Sequence, residues 1–190
     1  MKKTILAAVA VVGLMLSQAQ TKSPSIIPIP ASLVSASGTF VLTNQVGISV
    51  TNQEAAKQVA NQLAQHLAQS TGFKFLVNNA LQETGIRLQV LAKPNENLGK
   101  EGYLLKVTEK TVTISANQAA GLFYGMQTLF QLMPKEIESK TIQKGIAWTI
   151  PCVSIDDQPR FGWRGLMLDV SRHFFTKAEV KKFMDDMVRF

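Results

Sequence analysis

Apolar residues along the chain come in short runs, interrupted twice by stretches where they recur at helical spacing. Ile26-Ile27-Pro28-Ile29-Pro30 predicts an extended segment, because each proline drives the residue before it toward β or polyproline geometry. Phe40-Val41-Leu42 and Val46-Gly47-Ile48-Ser49-Val50 predict two short strands about an Asn44-Gln45 turn. Thr51-x-x-Glu54 has the capping-box pattern, in which hydroxyl and carboxylate satisfy each other's free N–H groups. Behind it, Ala56, Val59, Ala60, Leu63 and Leu67 share one helical face as far as Gly72. Phe73 to Val77 and Ile86 to Leu91 predict further strands. Tyr103 to Val107 and Thr111 to Ile114 predict a hairpin across Glu109-Lys110. Ala119, Leu122, Phe123, Met126, Leu129, Phe130 and Met133 then repeat at helical spacing until Pro134 ends the pattern.

Strands, helix, strands, helix predicts a small α+β domain over residues 25–150, a sheet with packed helices. Lys135 to Lys144 is a charged connector, and Ile146 to Ile155 is expected to lead into a second unit over 151–190. In that unit Leu166-Met167-Leu168 is a short apolar run flanked by charge, the pattern of a parallel strand. Thr176-x-x-Glu179 is a second capping box. Val180, Phe183, Met184, Met187 and Val188 give the apolar face of the helix behind it.

The N-terminus changes the picture. Met1-Lys2-Lys3, an apolar run from Thr4 to Leu16 and a Ser17-Gln18-Ala19 cleavage pattern read as a signal peptide over 1–19. The mature protein is then exported, periplasmic or secreted, from a bacterium, and not held in a membrane. No cysteine stands at the end of the apolar run to carry a lipid anchor. Without Lys2 and Lys3 the net charge falls from +7 to +5. The remaining charges are scattered, with 11 Lys and Arg against 7 Asp and Glu over residues 21–150. That distribution gives no basic patch for nucleic acid. Cys152 is the single cysteine, so it has no internal disulfide partner. Its setting, Ile150-Pro151-Cys152-Val153-Ser154-Ile155, reads as a buried strand with a packed thiol. His66 lies on the first helix with no second ligand spaced for metal, and is expected at the surface. No metal or cofactor is implied.

Two segments carry a resemblance. Gly121-Leu122-Phe123-Tyr124-Gly125-Met126-Gln127-Thr128-Leu129 is similar to the Gly-x-x-Tyr-Gly-x-Gln-Thr-Leu helix in the N-terminal domain of family 20 glycoside hydrolases, the β-N-acetylhexosaminidases. Pro159-Arg160-Phe161-Gly162-Trp163-Arg164-Gly165-Leu166-Met167-Leu168-Asp169-Val170-Ser171-Arg172-His173-Phe174-Phe175 resembles the start of that family's catalytic barrel. The resemblance implies a non-catalytic α+β module followed by the first strand-helix unit of a (β/α)8 TIM barrel. Such a barrel takes about 250 residues. From Arg160 to Phe190 there are 31, enough for one unit.

The resemblance further implies an exo-acting enzyme that removes terminal β-linked GlcNAc or GalNAc with the help of the substrate's own acetamido group. Arg164 matches the arginine that forks onto the C3 and C4 hydroxyls of the terminal sugar. Its planar array of N–H donors suits neighbouring oxygens. The residues alone favour a structural arginine paired with Asp169 or another barrel carboxylate; the resemblance reverses that preference. Asp169, Arg172 and His173 follow the expected strand and support the site. The family's catalytic Asp-Glu pair sits on a later barrel strand, so no catalytic residue is assigned within the 190 residues, which are expected to be inactive alone. Asp156-Asp157 does not replace it, since adjacent carboxylates on an extended strand face opposite sides. Asp185-Asp186 lies on a helix and does not match. Two alternatives remain at this level: a non-catalytic carbohydrate-binding or scaffold module over 25–150, and another glycosidase that shares the N-terminal domain. Residues 160–190 are expected to be poorly ordered or to pack opportunistically on the first domain.

Overall fold

A computed structural model describes residues 24–51 and 53–189. The signal-peptide expectation over 1–19 lies outside the described residues. Seven strands form one sheet: β1 (Ser32–Val41), β2 (Gly47–Val50), β3 (Val77–Asn78), β4 (Gly85–Val90), β5 (Tyr103–Val107), β6 (Thr111–Ala116) and β7 (Thr149–Asp157). Among the described residues three α-helices accompany them: α1 (Glu54–Thr71), α2 (Ala119–Leu132) and α3 (Lys177–Arg189). The strand order is β1-β7-β5-β6-β4-β2-β3. β1, β7, β5 and β6 pair antiparallel, whereas β6, β4, β2 and β3 pair parallel. The parallel half follows from α1, which carries the chain from β2 over the sheet to β3 and β4 as a crossover connection.

Register makes the two faces of the sheet chemically different, because side chains alternate along each strand. Ile48, Ile86, Val112, Val107 and Val153 form one transverse row, and Val50, Leu88, Ile114, Leu105 and Ile155 form the next. All ten are buried, on the face that α1 and α2 cover. Between these rows Arg87, Thr113, Lys106 and Ser154 occupy the opposite, polar face. On the helix side, Ala56, Val59, Ala60, Leu63 and Leu67 of α1 are buried as their spacing predicts. Gly72 ends α1 in a left-handed conformation, φ 73°, which glycine adopts without a Cβ penalty.

α2 reaches the sheet through its glycines. A Cβ on Gly121 would stand 2.2 Å from the Gly102 carbonyl oxygen, and one on Gly125 would stand 2.5 Å from Ile114 Cγ2. The glycines of the Gly-x-x-Tyr-Gly segment therefore let the helix lie directly on β5 and β6.

Several expectations need correction. The capping box at Thr51 does not form: Gln53 is the N-cap and makes no side-chain cap, while Thr51 Oγ1 accepts from the Val90 amide at 3.2 Å. Residues 26–30, expected to be extended, carry a bend at Ile27-Pro28. The strand expected at 40–42 is the end of the ten-residue β1, whose register shifts between Ser35 and Thr39. This irregularity hides its first half from a period-two pattern. The strand expected over 73–77 shrinks to Val77–Asn78.

The expected boundary between 150 and 151 falls inside β7, a strand bonded to β1 on one side and β5 on the other. β7 is thus integral to the first sheet. The strand expected at Leu166–Leu168 is absent. No described strand lies beside it to accept its N–H and C=O groups, and a strand without partners is not stable in water. Trp163 and Met167 are 85% and 91% exposed. The second capping box does form, with the Thr176 amide donating to Glu179 Oε2 at 2.7 Å and the Glu179 amide to Thr176 Oγ1 at 3.3 Å. No residue of α3 is fully buried. Polar contacts between segment 160–189 and the first domain include Arg189 with Glu138 and Arg164 with Glu101.

Candidate functional site

Arg164 is the residue through which the second unit is tied to the first. Its Nη1 donates to the Phe161 carbonyl at 2.6 Å and to Glu101 Oε2 at 3.1 Å. Its Nη2 donates to the same Glu101 oxygen at 3.2 Å and to Tyr124 Oη at 3.1 Å. The guanidinium also lies over the Tyr124 ring, 5.5 Å from its centroid, within range of a cation–π attraction. The Glu101 carboxylate, first among these partners, pushes the Arg164 ionisation still higher. The arginine is a fixed cation.

Both partners come from the first domain. Glu101 sits in the turn before β5, next to Gly102, whose carbonyl lies against Gly121. Tyr124 is half-buried on α2, next to Gly125, which faces Ile114. The helix-sheet contact that sets α2 therefore also sets the spacing between Glu101 and Tyr124. Sequence reasoning included Tyr124 in its motif and missed Glu101, which carries no local signal in Lys100-Glu101-Gly102.

The other expected site residues do not converge on Arg164. Asp169 accepts from the amides of Ser171 and Arg172 at 2.9 and 3.3 Å, and pairs with Arg172 Nε at 3.3 Å. It shapes a turn. The expected alternative partner of Arg164 was Asp169 or another barrel carboxylate; the carboxylate found is Glu101. Arg172 is 86% exposed on its side chain, and His173 is exposed with no hydrogen bond among the described residues.

Asp156 and Asp157 end β7 on opposite faces. Asp157 is committed to structure, accepting from the Ala31 amide at 3.0 Å and from Tyr103 Oη at 3.2 Å. Cys152 is buried, and that burial, with Glu109 nearby, pushes its thiol ionisation up. It is a packed thiol and a poor nucleophile. His66 departs from the surface expectation: it is half-buried and stacks on Phe130 with ring centroids 4.0 Å apart. Among the described residues no group of three or more His, Cys, Asp or Glu is placed to hold a metal.

Comparison with known proteins accounts for both halves of the chain. Residues 23–158 match glycosyl hydrolase family 20, domain 2, and residues 161–190 match the catalytic domain of the same family. A β-hexosaminidase of Porphyromonas gingivalis is 36% identical over 169 residues, which is 89% of this chain and 22% of that protein. The N-acetyl-β-hexosaminidase of Streptomyces plicatus, solved with Thio-NAglucal, is 40% identical with a TM-score of 0.79, over 87% of this chain and 32% of that one. The family 20 β-N-acetylhexosaminidase of Streptomyces coelicolor is 39% identical with a TM-score of 0.80, over the same shares. The chain thus spans about a fifth to a third of the length of these relatives.

Proposed function

The chain belongs to glycosyl hydrolase family 20, and on that premise we propose that it is the N-terminal part of an exported, exo-acting β-N-acetylhexosaminidase. The observation that carries the proposal is the order of the two matches. The α+β module of residues 23–158 runs directly into the Trp163-Arg164-Gly165 to His173-Phe174-Phe175 segment, at the first residues of the catalytic domain.

The substrate is a glycan ending in β-linked GlcNAc or GalNAc. Hydrolysis retains configuration. The acetamido oxygen of the substrate attacks its own anomeric carbon, the bond to the leaving oxygen breaks, and water then opens the cyclic intermediate. An Asp-Glu pair on a later barrel strand orients the acetamido group and protonates the leaving oxygen. The resemblance gives the C3 and C4 hydroxyls to Arg164, whose terminal N–H groups are held here by Glu101, Tyr124 and the Phe161 carbonyl. Asp169, Arg172 and His173 support that site once the strand at 166–168 is paired. Export rests on the charged, apolar and small-residue pattern of residues 1–19.

The test is hydrolysis of a chromogenic N-acetyl-β-glucosaminide by the 190-residue chain beside a version lengthened to span the catalytic domain of its relatives. Turnover only in the longer form is expected. Turnover in neither would overturn the proposal and favour a carbohydrate-binding module.

A further inference from the structure

The two side chains that hold Arg164 stand on different elements, and a third side chain joins those elements. Glu101 lies in the turn before β5, and Tyr124 lies on α2. Asn117 stands where β6 passes into α2. Its Oδ1 accepts from the Asn95 amide at 2.8 Å, and its Nδ2 donates to the Asn95 and Gly99 carbonyls, each at 2.7 Å. Both N–H groups of the side-chain amide are thereby used. Gly99 is two positions before Glu101. One position after Glu101, the Gly102 amide donates to the Leu98 carbonyl at 2.8 Å. A Cβ on Gly102 would stand 2.4 Å from that same oxygen, and the Leu98 side chain is buried. The turn is closed on itself, anchored in the interior and pinned to the base of α2.

We propose that Asn117 is a positioning residue for the junction between the two units: its amide sets the gap between Glu101 and Tyr124 into which the Arg164 guanidinium fits. The inference uses the family match of residues 161–190 and no role in sugar binding. Arg164 Nη2 must reach Glu101 Oε2 at 3.2 Å and Tyr124 Oη at 3.1 Å together. Such double contact tolerates little drift of one acceptor against the other, because hydrogen bonds weaken steeply with poor geometry. Tyr124 follows Asn117 by seven positions, about two helical turns. Glu101 is reached from Asn117 through the Gly99 carbonyl. Asn117 therefore couples to both acceptors without a hydrogen bond to either side chain or to Arg164 among the described residues. The apolar run at 166–168 begins two positions after Arg164, so the same gap fixes where the catalytic domain starts on the first domain.

Trypsin reads this contact directly, since it cuts after an arginine whose side chain has left its partners, and the rate follows the open population. In the 190-residue chain, cleavage after Arg164 is measured against cleavage after Arg172, which lies in the same segment with its side chain 86% exposed. Asn117→Ala is expected to raise that ratio about twofold to fivefold, the range of an exposed ion pair, and Glu101→Ala to raise it similarly. In the double variant the two effects should overlap, because both act on one contact. A ratio unchanged in either single variant, or effects that multiply in the double variant, would overturn the proposal. Cleavage after Arg87, within β4, reports loss of fold. If Asn117→Ala shows it, Asn117→Asp, which keeps the acceptor for the Asn95 amide and removes the donor to Gly99, is read by the same outcomes. The digestion involves no hydrolysis of a glycoside, so its result and that of the activity test stand or fall separately.

Discussion

The hydroxyls of Tyr103 on β5 and Thr128 on α2 lie 2.6 Å apart, and the Tyr103 hydroxyl also donates to Asp157 on β7 at 3.2 Å. Tyr103 has one hydrogen to give, so with Asp157 as its acceptor Thr128 must donate to it. Asp157 in turn accepts from the Ala31 amide. One buried phenol thus joins helix, central strand, last strand and the entry to β1. Tyr103→Phe leaves Thr128 without its acceptor and removes the donor to Asp157 Oδ2, while the Ala31 amide still donates to Oδ1. A loss of about 1–3 kcal/mol in urea unfolding is expected, the usual cost of stranding buried polar partners.

The same phenol sets an alkaline limit. Burial chiefly, with the Asp157 carboxylate adding and the Thr128 donor partly offsetting, holds its ionisation far above the usual value of 10.0. The unfolded chain therefore loses this proton first. Stability from Tyr103 is full below pH 10 and declines as pH rises above it. Unfolding midpoints measured between pH 9 and 11 should fall more steeply in the parent than in Tyr103→Phe. Equal slopes would remove Tyr103 from the account.

His66 gives the opposite window. Burial, the largest cause, lowers its pKa from 6.5, while Glu138 pulls it upward and Arg189 downward. Its Nε2 is buried with no hydrogen-bond partner among the described residues. The unfolded chain binds the proton more readily, so stability falls as pH drops below 6.5. Urea midpoints at pH 7.5 and 5.5 should differ by less in His66→Leu than in the parent. A difference of the same size would place the acid sensitivity elsewhere.

Alanine at the two α2 glycines sets helix propensity against space. Propensity favours alanine over glycine by about 1 kcal/mol in a helix interior. At Gly121 the new Cβ meets a backbone oxygen at 2.2 Å, and overpacking of that kind costs about 1–3 kcal/mol or more. At Gly125 the obstacle is a side-chain methyl at 2.5 Å, which has more freedom to shift. Gly121→Ala is expected to destabilise clearly, and Gly125→Ala less. The reverse order in urea melts would contradict the packing described.

Thr176→Ala removes the capping box of α3. A loss of about 1 kcal/mol of helix stability is expected. Because α3 has no buried residue, that loss should appear in exchange rates of the Val180 and Lys181 amides and leave the unfolding of the sheet unchanged. A shifted global midpoint would show α3 to be part of the same cooperative unit.

What was legible in the chain tracks how local the cause is. The face of α1, its glycine stop, the hairpin at Glu109-Lys110 and the box at Thr176 each depend on neighbours within a few residues, and each formed as expected. The box at Thr51 has the same pattern and failed, because the Val90 amide across the sheet competes for the same hydroxyl. β7 looked like the start of a new unit, since its run of apolar residues says nothing about which strands will flank it.

By itself the sequence determined the α+β class, both helical faces and the family resemblance at 121–132 and 159–175, because periodicity, turn chemistry and motif are written along the chain. Only the tertiary structure decided that β7 belongs to the first sheet, that His66 stacks on Phe130, and that Glu101 holds Arg164. Glu101 and Arg164 lie 63 positions apart. Their meeting depends on how closely α2 approaches the sheet, and that approach is a property of packed surfaces, which no stretch of sequence carries alone.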